Sequence, residues 1–165
     1  MDNRARAIED RLQRLEDEAE IRRLVLSYGP GVDAGLVGFA GQLWVEDGVY
    51  DWDANGEPHR GRAAVEEMVQ GNGHQGLIAT GAAHFAGPLL IELSGDEATA
   101  INYSIIMRRE GDRYYVWRTS AVRWDVARIQ DRWRVKCRTN RLLDETGAGR
   151  SLFGSTLREL FEEAR

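Results

Sequence analysis

The sequence is short of the residues that usually announce a mechanism. Its 165 residues hold one cysteine, Cys137, three histidines and a single lysine, Lys136, against 21 arginines. One cysteine closes no internal disulfide and excludes a multi-cysteine zinc cluster. His59, His74 and His84 stand 15 and 10 residues apart, so no local metal motif is formed and no metal is expected. No H-E-x-x-H, G-x-S-x-G or Walker run occurs. No apolar run approaches the ~20 residues of a membrane span. The most apolar window, 77–93, is broken by Gly81, His84, Gly87 and Pro88. The first twenty residues carry both signs of charge and no apolar centre, unlike a signal peptide. A cytoplasmic chain with no membrane partner is the simplest expectation.

What is present describes one ordinary domain. A net charge of −5 argues against nucleic acid as a partner. With 42% apolar residues, a chain near this length buries about 68–70% of its unfolded surface. Two motifs tempt and fail. Gly71-Asn72-Gly73-His74-Gln75-Gly76 matches G-x-G-x-x-G, but it follows a helical pattern and no convincing helix comes after it. It reads as a mobile loop. Asp51-x-Asp53-x-Asn55-Gly56 starts like a calcium loop, yet its twelfth position is Arg62, where a bidentate acid is needed.

Residues 1–16 read as a helical arm, 17–145 as the core and 146–165 as a C-terminal helix. Ile8, Leu12, Leu15 and Ala19 share one helix face, and Ile21, Leu24, Val25 and Tyr28 share a nearly opposite one. Either the helix breaks near Asp17, which with Glu20 resembles a capping box, or the arm over 4–16 packs on a partner subunit. Gly29-Pro30-Gly31 should end or kink the helix. A short helix with Leu36, Phe39, Ala40, Leu43 and Trp44 buried follows, closed by Asp47-Gly48. Then come a strand over 49–53, a turn at Asn55-Gly56 and a third helix over 62–70. Strands over 88–93, 98–109, 113–129 and 132–143 have tight turns at Glu110-Gly111-Asp112 and Gln130-Asp131, and the last three pair as a meander. An amphipathic helix over 151–163 closes an α+β domain.

Asp33 lies just past the Tyr28 helix, and His84 opens a run that enters the sheet. A carboxylate and an imidazole together in an apolar cavity make an acid–base pair, the carboxylate fixing the tautomer and stabilising the imidazolium. Equally, Asp33 suits a helix N-cap and His84 a satisfied core or edge histidine. Strand alternation that turns Trp133, Val135 and Cys137 inward also turns Thr139 and Arg141 inward, and Arg134, Lys136 and Arg138 outward. Arg141 then holds an anionic group of a substrate, or pairs with Asp33 or a C-terminal acid. Asn102 or Tyr103 faces the same space. Cys137 reads as a small filler.

These residues carry a resemblance. Leu24-x-x-x-Tyr28-x-x-x-x-Asp33, Leu43-Trp44-x-Glu46-Asp47-Gly48-Val49-Tyr50-Asp51, Gly61-Arg62, His84-Phe85, Pro88 to Leu93 with Gly95-Asp96, and Trp133-Arg134-Val135 resemble the SnoaL-like families in order and spacing. These belong to the nuclear-transport-factor-type superfamily of cystatin-like cone folds. The resemblance implies a curved antiparallel sheet wrapped around N-terminal helices, as a cone-shaped barrel enclosing a deep apolar pocket. It implies a lyase or isomerase, dehydratase- or cyclase-like, that uses no cofactor and acts on a small, mostly apolar ring compound. Asp33 and His84 take the acid–base positions, and Tyr28 matches the tyrosine of bile-acid dehydratase. Trp44, Tyr50, Trp52, Asn102 and Arg141 are the expected substrate-binding residues. Trp52 stands where the dehydratases carry a tyrosine, and Cys137 where the last strand usually carries a histidine. A homodimer or homotrimer is implied. The rival readings are a noncatalytic ligand-binding or dimerisation module, and the β-subunit of a ring-hydroxylating dioxygenase.

Overall fold

The computed structural model describes residues 3–52 and 57–162. The expected turn at Asn55-Gly56 lies outside them. Helix α1 spans Asn3–Asp33 without a break, so its two apolar stripes belong to one continuous rod. Asp17 is no cap: it lies mid-helix and buried, because Arg128 pairs with it at 2.5 Å and Trp133 Nε1 donates to it at 3.2 Å. Burial pushes its carboxyl up, but the bonds from Arg128, Trp133 and Gln13 outweigh that and hold it below the usual carboxylate range.

Gly29-Pro30-Gly31 does not end α1 either. Pro30 forgoes one backbone bond in the last turn, where Ile21, Val25, Tyr28 and Val32 already bind the helix to the core. Helix α2 (Val37–Gln42) is shorter than its apolar pattern suggests. Leu36 and Phe39 are exposed, and Trp44 opens strand β1 (Trp44–Trp52). Asp47-Gly48 forms an irregularity inside β1 rather than closing a helix. Strand β2 (His59–Arg60) and helix α3 (Arg62–Gln70) follow, α3 burying Val65 and Val69. Helix α4 (Asn72–Ala79) replaces the loop expected over the glycine-rich stretch.

Strands β3 (Ala82–Ala86), β4 (Leu90–Ser94), β5 (Glu97–Glu110), β6 (Arg113–Ile129) and β7 (Arg132–Leu142) complete the sheet. Its order is β2-β1-β7-β6-β5-β3, with β4 also on β5. The sheet curves but stays open, and it is antiparallel except where β1 runs parallel to β7. Its inner face meets α1 through Ala98, Ala100, Val122, Trp124, Val126, Trp133 and Val135. Helix α5 (Ala148–Glu162) folds back on the outer face, where Glu159 pairs with Arg123 and Phe153 meets the Tyr103 ring.

One irregularity decides which residues face the helices. Val126 pairs with Val135 but Asp125 pairs with Cys137, so Lys136 is an extra residue in β7. Such a bulge shifts the alternation by one from that point on. Trp133 and Val135 therefore face inward, then Arg138 and Asn140, while Cys137, Thr139 and Arg141 turn outward. The expectation for Arg138 and Arg141 is reversed.

Candidate active site

The last turns of α1 and the edge strand β3 build the site. Gly29 sets their separation, since a Cβ there would lie 2.3 Å from the His84 carbonyl oxygen. This contact is what the glycine is for, and it places Asp33, one turn on, beside His84. Asp33 Oδ1 lies 2.5 Å from His84 Nδ1, and Asp33 Oδ2 accepts the His84 backbone N–H at 2.8 Å. The carboxylate is clamped twice by one residue, which places the ring proton on Nδ1 and leaves Nε2 as the nitrogen free to exchange a proton. Asp33 thus caps a sheet edge, not a helix.

His74, on α4, stacks over His84 with centroids 5.4 Å apart and planes at 26°. Burial, and after it the neighbouring imidazole, lowers its proton affinity. Its ring nitrogens are buried with no hydrogen-bond partner among the described residues.

Behind His84 lies an aromatic nest. Tyr28 meets Trp44, Tyr50 and Trp124 at centroid distances of 5.6, 6.4 and 5.9 Å. Arg138, 4% exposed, sets its guanidinium over Tyr28, Tyr50 and Trp124 at 4.6, 4.6 and 4.7 Å. Its Nε and Nη1 are buried without a hydrogen-bond partner among the described residues. Three ring faces offset part of the cost of burying the cation, but they leave two donors aimed at nothing. Burial, then Tyr50, pushes the Tyr28 phenol well above its ordinary value, so it stays a neutral donor. Asn102, buried, accepts from Trp124 Nε1 at 2.9 Å and donates to the Tyr103 carbonyl at 2.8 Å.

These groups share one small cavity. Tyr28, His84, Asn102, Ser104, Trp124 and Arg138 line a space of about 10 Å³, room for about one water. The larger surface grooves, up to about 730 Å³, are lined by neither Asp33 nor His84.

Of the residues singled out from sequence, His84, Tyr28 and Asn102 come together here, Asp33 adjoins them through its bonds to His84, and Tyr50 packs against Tyr28. Trp44 is fully buried under that cluster and donates from Nε1 to the Val49 carbonyl at 3.2 Å. Trp52 lies to one side under the Arg118 guanidinium, 4.9 Å from its ring. Arg141 is elsewhere, on the outer face, held by Asp51 through bonds of 3.1 and 2.6 Å. Sequence reasoning missed Arg138 because alternation cannot reveal a bulge. It missed His74 because a glycine-rich stretch resembles a loop. Burial raises the Cys137 thiol, which suits a filler rather than a nucleophile. Among the described residues no group of three or more His, Cys, Asp and Glu converges as metal ligands, and no helix is long and apolar enough to cross a membrane.

Comparison with known proteins places this geometry. The model of the SnoaL-like domain matches residues 13–139, most of the chain. The chain belongs to the SnoaL-like domain family. Among solved structures, it is similar to an NTF2-like protein with a cystatin-like fold from Novosphingobium aromaticivorans. Identity is 40%, covering 88% of this chain and 94% of that one, with a TM-score of 0.85. A protein from Catenulispora acidiphila, solved in complex with S-DNPA, shares the SnoaL-like fold at 20% identity over 81% and 98% of the chains, with a TM-score of 0.70. A provisionally named scytalone dehydratase from N. aromaticivorans shares it at 20% identity over 79% and 87%, with a TM-score of 0.66. No functionally curated protein matches the chain.

Proposed function

We propose that this SnoaL-like protein is an acid–base lyase or isomerase acting on a small, mostly apolar ring compound. The observation that supports it most is the doubly clamped Asp33–His84 pair, whose histidine lines the same cavity as the unpaired guanidinium of Arg138. In this reading, His84 Nε2 takes a proton from a carbon next to a carbonyl. Asp33 stabilises the resulting imidazolium. Negative charge developing on the substrate oxygen is met by the idle donors of Arg138 and the Tyr28 hydroxyl in a site nearly free of water, where such stabilisation is strong. The imidazolium then returns the proton to another carbon, or to a leaving hydroxyl. The aromatic walls favour a ring-shaped substrate.

The one-water cavity is the observation that favours the rival reading, an interior closed on itself and a noncatalytic role. In the catalytic reading α4 is the element that yields. It is eight residues long, buries none of them, and includes Gly73 and Gly76, each unfavourable in a helix by about 1 kcal/mol. Through His74 it lies directly over His84.

Titration with 2-naphthol distinguishes the two. The catalytic reading expects saturable binding with naphtholate emission in the wild type, lost in Arg138→Met and weakened in His84→Gln. Absence of binding by 2-naphthol and other bicyclic phenols would overturn it in favour of the noncatalytic role.

A further inference from the structure

The outward face of α1 has no role in the site above. Residues 3–16 are exposed throughout, about 20 Å of helix standing off the body. A lone helix of that length is marginal in water. Arg14 ties it to the body through Glu92 at 3.3 Å, yet the arm carries Ile8, Leu12 and Leu15 at 57%, 53% and 63% exposure. With Ala5 before them and Ala19 after, these residues recur at steps of three and four. That is the spacing of a coiled-coil seam. The next seam position is Arg22, which ends the apolar run. At 100° per residue the seam lies opposite Asp17, Ile21, Leu24 and Tyr28, which bind α1 to the sheet. A helix laid along the seam meets no part of the chain's own core.

The charges beside the seam select the partner. On one flank stand Arg4, Arg11 and Glu18; on the other stand Glu9, Glu16 and Arg23. When two such helices run parallel, each residue of the first flank faces the residue five positions later in the other helix. The facing pairs are then Arg4 with Glu9, Arg11 with Glu16, and Glu18 with Arg23, each made twice across a two-fold axis. All are of opposite sign. An antiparallel pair with Leu12 layered on Leu15 instead mixes signs, setting Glu9 against Glu16 and Arg11 against Glu18. We propose that the chain forms a homodimer through a parallel coiled coil of α1, from Ala5 to Ala19, with the two sheets on opposite outer sides and the Arg22 side chains splayed to solvent where the seam ends.

The full chain tests this in sedimentation equilibrium at low and moderate salt. The wild type is expected to be dimeric at tens of micromolar and to weaken as salt screens the flanking charges. Leu12→Glu with Leu15→Glu should give a monomer with an unchanged far-UV spectrum, since both side chains are exposed. Arg11→Glu alone sets a carboxylate opposite Glu16, and Glu16→Arg alone sets a guanidinium opposite Arg11. Each should weaken self-association by about tenfold. An equimolar mixture of these two variants should form a heterodimer, and the double variant R11E/E16R should recover wild-type association. A monomeric wild type, a dimer indifferent to the leucine substitutions, or a double variant as weak as the single ones would each overturn the proposal.

Discussion

Replacing Gly29 by alanine separates two effects that predict opposite signs. In a helix interior, alanine is favoured over glycine by about 1 kcal/mol. Gly29 is helical and buried, so propensity alone predicts a more stable protein. The packing says otherwise. The new methyl would sit 2.3 Å from the His84 carbonyl oxygen, where ordinary contact begins near 3.4 Å. Helix α1 and strand β3 must therefore part by about 1 Å. Overpacking of this kind costs about 1–3 kcal/mol. The same shift stretches the 2.8 Å bond from the His84 amide to Asp33 beyond hydrogen-bond range, and a bond to a charged group contributes about 1.5–3 kcal/mol. Set against the propensity gain, Gly29→Ala should lose about 3 kcal/mol. For a domain of this size that lowers Tm by about 6–12 °C. Urea and thermal melts read the change, and the low-field proton resonance of His84 Nδ1–H should move or broaden with it. Gly76→Ala is the control: nothing lies within 4 Å of its Cβ position, and it should gain about 0.5–1 kcal/mol. If Gly29→Ala is as stable as wild type or more so, the close approach does not position the pair, and the reasoning fails.

Three further outcomes follow from other parts of the structure. Arg138→Met should leave stability unchanged or raise it by up to about 2 kcal/mol in urea, because an unpaired buried cation gives way to an apolar side chain of similar length; a loss above about 2 kcal/mol would mark Arg138 as structural. Asp17→Asn should cost about 2 kcal/mol at pH 7, a figure reduced from the fully buried case because Arg128 keeps a fifth of its side-chain surface exposed. The Asp17 pKa is depressed in the folded state, so its contribution is present above the unfolded value of about 3.9 and disappears as pH falls below it. The melting curves of the wild type and of Asp17→Asn should therefore draw together as pH is lowered below that unfolded value. His74 holds its proton less readily folded than unfolded, so stability falls as pH drops through about 6.5 while the unfolded chain takes up that proton. His74→Phe should flatten the stability curve between pH 7 and pH 5; an unchanged slope would place that titration elsewhere.

The parts of the fold legible in the sequence were those with local causes. Helix α3 and the β5–β6–β7 meander follow from periodicity and from turns at Glu110-Gly111-Asp112 and Gln130-Asp131, where Gly111, Gln130 and Asp131 take positive φ. The pairing of Asp33 with His84 was legible too, though only the resemblance brought together residues 51 positions apart. What escaped has nonlocal causes. Gly29-Pro30-Gly31 read as a helix breaker because of Pro30, while the contact that Gly29 permits, with the His84 carbonyl, comes from a strand 55 residues away. Asp17 read as a cap because its partners, Arg128 and Trp133, are more than a hundred residues away. Arg138 read as exposed because an extra residue at Lys136 leaves no mark on the alternation. One compositional signal did bear on it. Arginine stacks on aromatic faces far better than lysine, and Arg108, Arg118, Arg128 and Arg138 each lie over a ring. The arginine excess over a lone lysine thus has a partial physical counterpart in this interior.

Deuterium exchange at the activated ring protons of 2-tetralone in D2O, followed by NMR, tests the acid–base account most directly. It reads proton abstraction alone, without requiring the natural substrate. The account predicts exchange faster than buffer with wild type, a fall to the buffer rate in His84→Gln, and a loss of about 10²-fold or more in Asp33→Asn and Arg138→Met. Wild-type acceleration that survives intact in His84→Gln, or no acceleration with 2-tetralone and other cyclic ketones, would contradict it.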